Sequence, residues 1–260
     1  MGVVISLGVL LSACSAEVGG SGAGATVPPR ETPFLVTALG DSIPAATNCD
    51  GCSAFVDLFA HRIGQRHHRR VDVANLGVAG ATSADLLDSL ALDPDYASVL
   101  NATNVLTVTI GANDFFPDLD PYFDGDCDAL DCFDEDLVTM GETLGAVLRE
   151  VSALRSGNLA DVLVTGYWNV FPDGAVAEAM YGPDFVRDSA TLTKRANDVI
   201  ESAAAAAGAT YVDLVVPFKG VDGSGDPTDL LADDGDHPNQ AGHEAISDAL
   251  WAALAPGAVG

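Results

Sequence analysis

Apolar and polar positions follow two rhythms along this chain. Residues 33–40, PFLVTALG, make a short, nearly continuous apolar run ending in glycine, the pattern of a strand buried on both faces. In SAFVDLFAHRIGQ (53–65), Phe55, Leu58, Phe59 and Ile63 recur at helical spacing. The two rhythms then alternate. A strand is expected at 70–77, a helix at 83–92, a strand rich in β-branched residues at 104–111 and a long amphipathic helix at 136–155. A fourth strand follows at 161–168, a helix at 191–208 closed by Gly208, a fifth strand at 210–215 and a last helix at 239–254. This order predicts an α/β fold with a parallel sheet covered by helices on both faces. In such sheets ligands bind beyond the carboxyl ends of the strands, so the chemistry should lie directly after each one.

The two ends of that pattern differ from its middle. MGVVISLGVLLSAC at the N-terminus is an apolar run of signal-peptide length, too short to span a bilayer as a helix. Its end, Leu11-Ser12-Ala13-Cys14, resembles the bacterial lipobox, in which the cysteine becomes the lipidated first residue; an ordinary secretory signal is the alternative. Residues 14–32 are rich in Gly, Ser, Ala and Pro and read as a flexible linker. The expected organisation is a signal peptide at 1–13, the linker, and one domain at 33–260, exported and either lipid-anchored to the cell membrane or secreted.

Charge narrows the partners. The 260 residues carry 38 Asp+Glu against 11 Lys+Arg, a formal net charge of −27. Such an excess repels polyanions, which argues against nucleic acid and against bare anionic membrane beyond the lipid anchor. A monomer is expected. Cys49, Cys52, Cys127 and Cys132 are an even set in an exported chain, which favours two disulfides. Their close spacing favours local pairs, although three connectivities are open, and a four-thiolate zinc site or a redox role for CDGC are the rivals.

The strand ends carry a coherent set of groups. Gly40-Asp41-Ser42-Ile43 follows the first strand, Gly77-Val78-Ala79-Gly80 the second, and Gly111-Ala112-Asn113-Asp114 the third; Asp234 and His237 follow the fifth. Acyl transfer needs a hydroxyl nucleophile, an imidazole to take its proton, a carboxylate to hold the imidazole, and N–H donors for the oxyanion. All four are present. The blocks GDSI (40–43), NLGVAG (75–80), GAND (111–114) and DGDHPN (234–239) resemble, in order, the four blocks of the SGNH hydrolases, also called GDSL esterases/lipases. The likeness spans roughly residues 33–255. It implies a three-layer α/β/α sandwich on a flavodoxin-like five-stranded parallel sheet, and a serine esterase or lipase that needs no cofactor and no metal. Residue by residue it implies Ser42 as nucleophile, His237 as base and Asp234 as its orienting acid. The oxyanion hole would be formed by the Ser42 and Gly80 N–H groups and the Asn113 side chain. Asp41 and Asp114 would support these groups, and Asp233 and Asp236 would be surface charge. The substrate is expected to be an ester of a lipid, an acylated glycan or a small alcohol. An O-acyltransferase acting on envelope glycans, or a non-catalytic envelope-binding domain of the same fold, are the alternatives.

Four features are not absorbed by that reading. The acidic stretch 114–137 alternates Asp124, Asp126 and Asp128 as in a calcium loop but lacks the turn glycine and closing glutamate of an EF-hand, so a solvated rim loop pinned by a disulfide is expected. HRIGQRHHRR (61–70) concentrates positive charge at a helix end, where carbonyls favour cations. Tyr167, Trp168 and Phe171 either line an acyl or sugar site or pack in the core. His243 lies beside Glu244, but Ser247 rules out an HExxH zinc motif.

Overall fold

The structure, a computed structural model, describes residues 33–254. Five parallel strands form its sheet: β1 Phe34–Gly40, β2 Val71–Gly77, β3 Val105–Thr109, β4 Val162–Thr165 and β5 Thr210–Val212. Their order across the sheet is β2-β1-β3-β4-β5, the flavodoxin-like order. The strands β1, β3 and β4 are buried almost without interruption, whereas the edge strand β2 carries Asp72 and Asn75 and is only half buried. That contrast follows from position. A central parallel strand has helices on both faces and no polar side to offer water.

Helix α1 (Phe55–His67) packs against α9 (Gln240–Ala253) on one face. On the other, α5 (Asp134–Leu154) lies between α2 (Ser83–Leu92) and α7 (Pro183–Ala207). Each buries an apolar stripe; that of α5 comprises Leu137, Met140, Leu144, Val147, Leu148 and Val151. Four shorter helices, α3 (Pro94–Ala102), α4 (Leu119–Asp124), α6 (Gly174–Tyr181) and α8 (Val215–Lys219), fill the connections. They leave little periodicity to read: α3 buries only Leu100 and α6 only Ala177. Helix α7 begins eight residues before the expected 191, at Pro183, where proline is pre-organised for the first helical position.

The acidic insertion is more ordered than a solvated loop. It contains 3-10 turns at 112–118 and 131–133, helix α4 and the Cys127–Cys132 bridge. Its aromatics hold it down: Phe123 stacks on Phe185 of α7 at 5.6 Å, and Phe133 lies 6.0 Å from Phe171. The other bridge is Cys49–Cys52, so both pairings are local. Among the described residues no group of three or more His, Cys, Asp or Glu side chains is placed to hold a metal ion. The expected signal peptide, Cys14 and the expected linker lie outside the described residues.

Register sets the site. Gly40 at the end of β1 pairs with Gly77 on one side and Thr109 on the other. Three strand ends therefore finish level, and the chain leaves them at the point between β1 and β3 where the winding direction reverses.

Candidate active site

The first wall is the turn after β1. A Cβ on Gly40 would sit 1.8 Å from the Thr109 carbonyl oxygen, so only glycine lets β1 and β3 close this tightly. The Asp41 N–H then donates to that carbonyl at 3.1 Å. The Asp41 carboxylate is buried and accepts the Ile43 N–H at 2.9 Å and the Tyr167 hydroxyl at 2.5 Å. Burial pushes Asp41 up to about 6, against the pull of those two donors. Fixed on both sides of Ser42, the turn presents the serine half-buried at the rim.

The second wall follows β2. Gly80 has φ +79° and open space around its missing Cβ, so the backbone conformation, not crowding, requires glycine there. Among the described residues, neither the Ser42 nor the Gly80 N–H donates to any protein acceptor. Two undirected donors at adjacent strand ends are what an oxyanion needs. Asn113, after β3, donates one amide hydrogen to the Ala81 carbonyl at 2.8 Å, which ties the third strand end to the second; its other hydrogen has no acceptor among the described residues. Asp114 accepts the Ser83 N–H at 2.9 Å and also the Ser83 hydroxyl, bracing the start of α2.

The loop 231–239 supplies the third wall. It is closed by the Leu231–Pro238 bridge and by the Ala232 N–H donating to the His237 carbonyl at 2.8 Å. Asp234 Oδ1 accepts the N–H groups of Asp236 and His237 at 2.9 and 3.0 Å; Oδ2 lies 2.7 Å from His237 Nδ1. Burial opposes the Asp234 charge, but the His237 and Asp236 N–H groups, the Asn48 amide and the His237 ring outweigh it and hold the carboxyl down at about 2. An ionised carboxylate accepts only, so Nδ1 carries its hydrogen toward Asp234 and Nε2 is left as the basic nitrogen. Ser42 Oγ makes no hydrogen bond to the ring among the described residues; such contacts are often long without substrate.

Other expectations fare differently. Asp233 is exposed, as surface charge should be, but Asp236 is half-buried and its carboxylate lies 3.8 Å from His237 Nδ1, so it belongs to the site's surroundings. Tyr167, Trp168 and Phe171 are core residues, each at most 2% exposed, with Trp168 stacked on Phe218. The basic run ends α1: Arg66 and His67 occupy its last turn, His68 caps it in a left-handed conformation, and Arg70 pairs with Asp72. Two contributors were not legible beforehand. Tyr167 grips Asp41 from a strand end that carries no motif. Asn48 donates to Asp234 Oδ2 at 2.6 Å, and only its position beside CDGC hinted at a fixed conformation.

The model of the GDSL-like Lipase/Acylhydrolase family matches residues 38–245. The chain belongs to that family. It is an ester-hydrolysing enzyme with the family's α/β fold. Among solved structures, the lipase Lip_vut3 from a goat rumen metagenome is similar at 20% identity and a TM-score of 0.69, covering 85% of this chain and 97% of that one. An extracellular lipase from Streptomyces rimosus gives 18% identity and 0.62, covering 85% of this chain and 100% of the other. An acetyl-xylooligosaccharide esterase from Geobacillus stearothermophilus gives 19% and 0.60, with 87% and 94% covered. At these identities the likeness is one of fold. No curated protein sequence matches the chain.

Proposed function

We propose that this enzyme hydrolyses carboxylic esters through an acyl-Ser42 intermediate. His237 Nε2 takes the Ser42 proton as Oγ bonds to the ester carbonyl carbon, and the oxyanion is received by the Ser42 and Gly80 N–H groups and the free Asn113 amide hydrogen. Collapse of the tetrahedral species breaks the bond to the alcohol, which leaves with the proton from His237. Water, deprotonated by the same nitrogen, then releases the acid and restores Ser42. Asp234 keeps the ring in the required tautomer. The observation that carries this reading is the Asp234–His237 contact of 2.7 Å on a carboxylate whose other oxygen is held by two backbone N–H groups.

The ordered insertion 114–137 follows Asn113 directly, which supports a role as one wall of the substrate cleft. The leader and linker at residues 1–32 support an exported, lipid-tethered enzyme with its catalytic domain starting near Pro33.

Hydrolysis of short p-nitrophenyl esters tests the mechanism. Ser42→Ala should lower kcat by at least about 10³-fold and abolish labelling by a serine-directed phosphonate. A variant with unchanged turnover would remove Ser42 from the chemistry.

A further inference from the structure

Two donors converge on one oxygen of the acid. Asp234 Oδ2 accepts His237 Nδ1–H at 2.7 Å and the Asn48 amide at 2.6 Å, while Asn48 Nδ2 and His237 Nδ1 stand 3.4 Å apart. An ionised carboxylate has no hydrogen to give, so the nitrogen of the Asn48 amide must face it. The contact crosses from one end of the chain to the other, and the backbone is shaped to make it. Asn48 sits at φ +57°, a left-handed conformation that asparagine tolerates better than most residues. Its segment is fixed at both ends: the Thr47 N–H donates to the Ser42 carbonyl at 3.1 Å, and the Ser53 N–H donates to Gln240 Oε1 at 2.9 Å on the first turn of α9. Between them the Cys49–Cys52 bridge closes the loop directly after Asn48.

We propose that Asn48 is a positioning residue that shares the Asp234 carboxylate with His237 and so sets the pH range over which His237 works as a base. This rests on the triad reading above. A hydrogen bond donated to a carboxylate draws its charge away from its other partner. With Asn48 in place, Asp234 stabilises the protonated His237 ring less than it would alone, and the ring stays neutral and basic to lower pH. The other charged or titratable groups that His237 senses are Asp236 at 3.8 Å in its own loop, Asp41 in the turn after β1, and His243 in α9. None of them bonds to Asp234 Oδ2. The Cys49–Cys52 bridge holds the donor where it is needed.

The test is the acid limb of the kcat/KM–pH profile of the full-length protein, read with a short p-nitrophenyl ester. Asn48→Gly removes the amide without straining the left-handed backbone. It should move the acid limb up by about half a pH unit, since one hydrogen bond to the acid is lost. Asn48→Asp keeps the shape but replaces the donor with a second negative charge, and should move it further in the same direction. A purely structural role would lower turnover without ordering the two shifts in this way. The double variant Cys49→Ser/Cys52→Ser should shift the limb upward in the native background and add nothing to Asn48→Gly. Unmoved limbs in both Asn48 variants, or a bridge effect that adds fully to Asn48→Gly, would overturn the proposal. Ser42→Ala and His237→Ala run alongside separate the two readings. If either stays active the triad has failed, whereas two inactive variants with unmoved Asn48 limbs sink this inference alone.

Discussion

His237 and His243 lie on consecutive segments of the chain, in the loop 231–239 and the first turn of α9, and their surroundings are opposite. The His237 side chain is 12% exposed and has an ionised carboxylate behind Nδ1. His243 is fully buried, stacked 6.2 Å from Phe55, and its Nδ1 accepts the Phe55 N–H at 3.3 Å. Its hydrogen must therefore be on Nε2, a buried nitrogen with no partner among the described residues. Burial, helped by the charge of nearby His237, pushes His243 down to about 4. One ring is held by an acceptor at Nδ1 and keeps a little exposure; the other is a buried helix-packing group. What stands behind an imidazole and how far it is exposed, not the residue type, decide which histidine is suited to serve as a base.

The sharpest way to break that contrast is to remove the acceptor. Asp234→Asn keeps the shape but cannot hold Nδ1–H in the same way, and the equivalent change in a serine protease triad costs about 10⁴-fold in kcat. A loss of that order is expected here, measured as kcat on short esters with the fold checked by circular dichroism. A loss of only a few-fold would mean that the environment of His237, rather than its carboxylate, makes it a base.

How far the sequence foretold this follows from the same physics. The strands β1, β3 and β4 and the five long helices were legible because each buries a continuous run or stripe, and their period is written in the residue order. Three of the four motif blocks were legible because each falls where a strand ends; DGDHPN lies well past β5, beyond α8, and was legible only from its own residues. Helices α3 and α6 were not, since an element that buries one residue has no periodicity. The contribution of Asn48 could not be read either. Its partner lies far along the chain, at Asp234, and only the folded backbone brings the two within 2.6 Å. Asp236 was misjudged as surface charge because an acid in an acidic chain looks solvated until a fold half-buries it.

The second prediction sharpens the contrast from the buried side. Unfolded, His243 would take up a proton near pH 6.5; folded, it resists until about 4. Between those values the unfolded state binds more protons, so His243 makes stability fall as the pH drops through that window. The contribution is about 3 kcal/mol when the window has been crossed. His243→Gln retains an acceptor for the Phe55 N–H and should flatten the acid side of the stability–pH curve by that amount, read from urea midpoints, while turnover at pH 7.5 changes little. An unchanged curve would show that His243 is not held neutral by burial.

The smallest expected effect concerns the acid not chosen. Asp236 and Asp234 have side chains equally exposed, at 29% each, so exposure does not separate them. Bonding does. Asp234 receives backbone N–H groups, Asn48 and the ring, and is held down at about 2. Asp236 stands 3.8 Å from Nδ1; burial raises it to about 6, with His237 opposing and Asp234 adding to the rise. Above that pH Asp236 is charged and helps stabilise a protonated His237; below it the group is already neutral. Asp236→Asn should therefore cost a few-fold in kcat/KM at pH 8, about the worth of one charge that is not hydrogen-bonded to the ring, and that cost should vanish at pH 5. A loss equal to that of Asp234→Asn, or one independent of pH, would make Asp236 the acid that orients the base.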